Sequence, residues 1–127
     1  MNDIALAESW TPIATFSGTL DGNGKTISGV NVSRTDGQNG FIQELDTDGT
    51  VKDLTVYGSV ICLNTGNCGQ LGTGGIVGYN SGTITGCEFY GTVSQKQGDN
   101  MCVAGIAGYN KGAISNCKNY GNITGIS

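Results

Sequence analysis

The chain has 127 residues, room for a single domain, with 23 Gly, 1 Pro and no His. Six basic and ten acidic residues give a net charge of −4, with no basic patch to hold nucleic acid. The lack of His excludes Ser-His-Asp and Cys-His catalysis within the chain, and no apolar run approaches the roughly eighteen residues of a membrane span.

Residues 1–15 read as a lead-in that caps the first coil of a repeat region spanning 16–127. Met1–Ile4 has neither the basic nor the apolar segment of a signal peptide. A degenerate first copy of the repeat follows as Thr26–Val32, preceded by Gly24. Three further copies align without gaps: Gly49–Val60, Gly82-Thr-Ile-Thr-Gly-Cys-Glu-Phe-Tyr-Gly91-Thr-Val93, and Gly112–Ile123, at offsets of 33 and 30 residues. A second element alternates with them. It is worn at Gly40–Gln43 and clear at Gly75-Ile-Val-Gly-Tyr-Asn80 and Gly105-Ile-Ala-Gly-Tyr-Asn110.

Gly well above its usual share of about 7 % would suggest a flexible linker if it were unpatterned. Here it punctuates short runs of β-branched residues at fixed positions, which is strand chemistry. Self-similarity at this period predicts one solenoid coil per repeat. The expected fold is all-β: a right-handed parallel β-helix of about four coils of about thirty residues each. The competing architecture is an antiparallel sandwich, and the two differ in whether Ile84 pairs parallel or antiparallel with Val51 and Ile114.

Period-two alternation assigns the faces. Leu54, Val56, Gly58 and Val60 point inward with their equivalents Cys87, Phe89, Gly91, Val93 and Cys117, Asn119, Gly121, Ile123. Tyr57, Tyr90 and Tyr120 then point outward. In the second element Ile76, Gly78 and Asn80 are expected inside, and Val77 and Tyr79 outside. An inward Asn at a corner can bond turn backbone and stack as a ladder, whereas Asn119 is an inward polar group in need of a partner.

Phe16-Ser-Gly-Thr-Leu-Asp-Gly-Asn-Gly-Lys-Thr-Ile27-Ser-Gly-Val30, preceded by Trp10-Thr-Pro-Ile13, resembles the opening of GLUG-motif repeat proteins, and Gly75–Cys87 and Gly105–Cys117 resemble the GLUG repeat itself. The resemblance covers about residues 10–127 and breaks at Glu44–Asp48, which replaces the usual Gly-x-Asn turn. It implies a β-helical segment of a secreted or surface-attached bacterial protein, found in adhesins and ahead of the catalytic region of immunoglobulin A peptidases. The His-Glu-x-x-His of those peptidases is absent, so no catalytic residue carries over. The expected role is therefore a non-catalytic structural or adhesive module, extracellular or at the cell surface, that self-associates end to end through its terminal coils. Its expected partners are other copies or further coils, with a cell-surface glycan or a host protein as candidates. Neither nucleic acid nor membrane insertion is expected, and no cofactor.

Alternative chemistry attaches to particular residues. Tyr57, Tyr90 and Tyr120 occupy one equivalent position, and Tyr79 and Tyr109 another. Such ladders either stack on sugar rings as a carbohydrate-binding surface or simply tie neighbouring strands together. Asp53 and Glu88 are acids on neighbouring coils of one strand region and could serve a polysaccharide-degrading enzyme. The blander expectation is an ion pair between Glu88 and Lys118.

Asp21–Gly24 and Asp46–Gly49 look like fragments of calcium loops, but each lacks the Glu of a complete loop, and tight turns want the same residues. Thr26/Ser28, Thr50/Lys52, Thr83/Thr85 and Ala113/Ser115 form a Thr array of the sort that binds ice, interrupted at Lys52 and Ala113. The five Cys show no zinc spacing. Cys87 and Cys117 read as a core thiol ladder. Cys62 can close a disulfide with Cys68 in an oxidising compartment, and a Cys68–Cys102 pair competes with it.

Overall fold

The computed structural model describes residues 4–5, 13–34, 39–62, 72–95 and 103–125. These residues form strands and turns with no helix. The strands in chain order are β1 (Ile4–Ala5), β2 (Ile13–Phe16), β3 (Thr19–Arg34), β4 (Ile42–Leu45), β5 (Thr50–Cys62), β6 (Thr73–Gly74) and β7 (Val77–Asn80), followed by β8 (Thr83–Thr85), β9 (Glu88–Gln95), β10 (Val103–Ala104), β11 (Ala107–Asn110), β12 (Ala113–Ser115), β13 (Lys118–Asn119) and β14 (Asn122–Gly125).

Every strand pairing among the described residues is parallel. In the main sheet β1 lies on β3 and β3 on β5. Both β8 and β9 then lie on β5, β12 on β8, and β13 and β14 on β9. A second sheet stacks β2, β4, β7 and β11, and a third pairs β6 with β10. Ile84 pairs parallel with both Val51 and Ile114, which excludes the sandwich. The chain is a parallel β-solenoid whose four rungs in the second sheet are joined by about three complete turns. Successive rungs are separated by the ordinary strand spacing of about 4.8 Å.

The inward columns form the core. Leu54, Val56, Val60, Ile84, Cys87, Phe89 and Val93 are all buried, together with Val30, Val51, Ile42, Leu45 and Ile76. Val77 departs from the expected alternation: it is fully buried in this cluster rather than turned outward. The chain bends at Gly75–Ile76 between β6 and β7, so the strict two-residue alternation is not carried through this corner.

The first rung also departs from the expected register. Thr19 and Asp21 pair with Thr50 and Lys52, whereas Thr26 and Ser28 pair with Thr55 and Tyr57. A register shift between Asp21 and Lys25 sets Gly22–Gly24 against the single residue Asp53, so Thr26 and Ser28 lie further along the coil than Thr50 and Lys52. The Thr array therefore begins at Thr19, and Asp21 occupies the column of Lys52, 3.8 Å from its Nζ. That ion pair is the only one among the described residues.

Polar ladders close the corners. Asn80 is buried, donates from Nδ2 to Oδ1 of Asn110 at 2.7 Å, and accepts the Gly82 N–H at 3.0 Å. Asn110 accepts the Gly112 N–H at 3.2 Å in the same way. The repeating Asn thus satisfies a turn amide in each rung and bonds to its equivalent in the next, as the sequence pattern suggested. Asn119 finds its partner locally, accepting the Gly121 N–H at 2.9 Å.

Cys87 and Cys117 are free thiols one rung apart, as expected of a core ladder. The Cys87 Sγ lies within hydrogen-bonding reach of the carbonyl oxygens of Val51 at 3.6 Å and Thr85 at 3.4 Å, which share its single S–H. Burial, reinforced by the nearby Cys117 and Asp53, pushes its pKa from 9.0 up to about 12. Because the folded pKa lies above the unfolded one, this thiol's contribution to stability is complete below pH 9 and is lost as the pH rises toward 12. Native protein at pH 8 should therefore leave Cys87 unlabelled by iodoacetamide, and denatured protein should label it. The urea midpoint should fall between pH 9 and 12, and fall less in Cys87→Ala. Rapid native labelling of Cys87 would contradict the buried placement.

Cys62 is disulfide-bonded. Cys68 and Cys102, the partners considered above, lie outside the described residues, so neither pairing is placed by the structure.

Candidate functional site

Two outward features stand out, and both follow from the stacking of equivalent positions. The first is the pair of tyrosine ladders. Tyr57, Tyr90 and Tyr120 stack in register, with ring centroids 6.0 and 4.7 Å apart and planes 13° and 11° from parallel. Tyr79 and Tyr109 stack at 4.9 Å and 2°. In-register parallel strands place identical side chains directly above one another, so each ring turns its faces to its neighbours. What the ladder offers to solvent is ring edges and hydroxyls. A sugar can lie flat only on an outermost ring, so the ladders act first as ties between rungs, worth about 0.5–1.5 kcal/mol per pair.

The second feature is a groove on the outside of the corner between the two arms of the main sheet. The backbone turns there through left-handed residues in every rung: Asn23 (φ 52°), Asp53 (φ 51°), Gly86 (φ 65°) and Asn116 (φ 52°). Asn, Asp and Gly tolerate this conformation better than other residues do. The turn leaves an open cavity of about 420 Å³ lined by Asn23, Gly24, Asp53, Thr55, Gly86 and Glu88. The sequence reading paired Asp53 with Glu88, and the structure does bring both to this groove. It missed Asn23 and Gly24 because the first-rung insertion hid their equivalence to Asp53. In the later rungs the signal is Asp53, Gly86 or Asn116 one step before an inward Leu or Cys, whereas Asn23 is followed by Gly24 and Lys25 and carries no such signal.

The expected Glu88–Lys118 ion pair is not formed, although the two residues are paired neighbours on β9 and β13. Glu88 instead accepts a hydrogen bond on Oε2 from the Tyr90 hydroxyl at 3.3 Å. Desolvation within the stack, followed by the Glu88 charge and Tyr120, raises the Tyr90 pKa above its ordinary 10.0. This contact links the ladder to the wall of the groove.

Asp21 and Asp46, the first aspartates of the two calcium-like fragments, are engaged in turns. Asp21 accepts the Asn23 N–H at 2.9 Å, and Asp46 accepts the Thr47 N–H at 2.7 Å.

With this geometry in place, the comparisons with known proteins add one likeness. Halomucin of Haloquadratum walsbyi is 36% identical over 112 aligned residues, which cover 79% of this chain. The chain spans about 1% of the length of that relative. No protein-family model matches the chain, and no solved structure does.

Proposed function

We propose that this chain is a non-catalytic structural module of an extracellular or cell-surface protein, a GLUG-type bacterial solenoid segment that adds coil upon coil. The likeness to halomucin over most of the chain supports this reading. The disulfide at Cys62 supports an oxidising setting.

The observation that carries the stacking role is the state of the rung formed by β11–β14. Its inward residues Ile114 and Ile123 are 37% and 38% exposed, whereas their equivalents one rung below, Ile84 and Val93, are fully buried. Within the chain each rung donates N–H groups to the carbonyls of the one before it, as Lys118 does to Cys87 at 2.9 Å and Tyr120 to Phe89 at 2.8 Å. By the same register the carbonyls of Cys117 and Asn119 are set to accept from a further coil. Open strands of this sort template pairing with another chain. The opposite edge differs, because β1 already pairs with Ile27 and Ser28 there.

A further coil of the same repeat is the occupant this face suits, and in the isolated 127-residue chain a second copy can supply it. Sedimentation of the 127-residue chain across a range of concentrations should show self-association, and Ile123→Lys should suppress it. A species that stays monomeric at every concentration, with and without that substitution, would refute the stacking role.

A further inference from the structure

The corner groove carries a second role beyond the scaffold. Its volume of about 420 Å³ falls in the range of small-ligand sites, yet no aliphatic or aromatic side chain lines it. It therefore offers an apolar ligand little to bury against. Its groups come from three successive rungs: Asn23 and Gly24 from β3, Asp53 and Thr55 from β5, and Glu88 with the preceding Gly86 from the next. The groove thus runs along the stacking direction and repeats polar contacts at the rung spacing of about 4.8 Å.

The donor and acceptor balance narrows the chemistry. The Asp53 and Glu88 carboxylates can only accept at neutral pH, while the Asn23 amide and the Thr55 hydroxyl can also donate. Neither acid sits in an ion pair among the described residues, where the one such pair is Lys52 with Asp21. Glu88 receives a single hydrogen bond, on Oε2, from Tyr90. A ligand rich in hydroxyls satisfies both kinds of group, because each hydroxyl donates and accepts. A polyanion meets two carboxylates on a chain of net charge −4, and a simple polycation leaves the donors unused.

We propose that this groove binds an uncharged glycan strand laid along the solenoid axis, with Asp53 and Glu88 accepting hydrogen bonds from its hydroxyls. The site differs from a tyrosine platform, since the ladder's ring faces are taken up by one another. It is also independent of the end-to-end contact, which lies on a different face.

The test is retention of the intact chain on an array of uncharged, acidic and amino-sugar glycans, followed by calorimetric titration with the best-retained uncharged oligosaccharide. Asp53→Asn keeps the left-handed corner, since Asn already occupies it at Asn23 and Asn116. Glu88→Gln keeps an acceptor for Tyr90. Uncharged glycans should be retained, and the double variant should bind them about tenfold more weakly. The proposal fails if only charged glycans are retained, if none is, or if the double variant binds as tightly as the parent. Cleavage of the bound oligosaccharide, abolished by Glu88→Gln, would leave the glycan site standing and overturn the non-catalytic reading instead.

Discussion

Gly91→Ala should cost the solenoid about 4 kcal/mol or more, a large part of the roughly 5–15 kcal/mol available to a domain. Gly91 has φ 124°, a conformation that side chains rarely adopt, and a Cβ there would run into the carbonyl oxygen of Gly58. A Cβ on Gly58 would in turn strike the carbonyl of Val30. These are backbone atoms held by rung-to-rung hydrogen bonds, so relief requires the rungs to separate. Gly24 provides the contrast. Its φ is 76°, but a Cβ there meets nothing within 4 Å. Gly24→Ala should therefore cost only about 1–2 kcal/mol of conformational strain. Urea unfolding of both variants checks the pair, and equal losses would show that steric approach in the Gly58–Gly91 column is not what demands glycine.

Phe89→Ala should destabilise the fold by about 3–5 kcal/mol, the range for truncating a fully buried aromatic ring. Phe89 is the largest of the fully buried side chains, with Val56 beside it in the rung below. Two glycines make room for its ring. A Cβ on Gly75 would lie 2.5 Å from its Cδ1, and one on Gly121 would lie 2.9 Å from its Cε2. One rung later the smaller Asn119 packs against Gly105 in the same relation. A Cβ on Gly75 would also strike the carbonyl oxygen of Gly105, so Gly75→Ala should be harmful in both backgrounds, and only the part of the loss owed to the ring should be relieved in Phe89→Leu, as a coupling energy of about 1 kcal/mol or more. Strict additivity of the two changes would argue against this packing.

Much of the solenoid was legible because stacking is periodic. The gapless copies at Gly49, Gly82 and Gly112 predicted the in-register pairing of Val51, Ile84 and Ile114, and alternation placed Leu54, Cys87 and Phe89 inside. It also aligned the tyrosines. Equivalent residues in a parallel stack must lie above one another, so a sequence repeat is already a statement about contacts. The sequence could not decide how the ladders present themselves. Whether a tyrosine column shows faces or edges depends on ring orientation, and ring orientation follows from the neighbour above.

By itself, then, the sequence determined the repeat, the parallel register of the later rungs and the identity of most core positions, because side-chain alternation and stacking are local rules applied every coil. Only the tertiary structure decided the corners. It set Gly22–Gly24 against the single residue Asp53 and moved the first-rung register from Thr26 to Thr19. It buried Val77 past the bend at Gly75–Ile76, and it set Glu88 on Tyr90 rather than on Lys118. It also gathered Asn23, Asp53 and Glu88 around one groove. The physical reason is common to all four. At a corner the backbone leaves the extended conformation, two-residue periodicity stops, and the direction of the next side chain is set by φ and by the rungs on either side rather than by its place in the pattern.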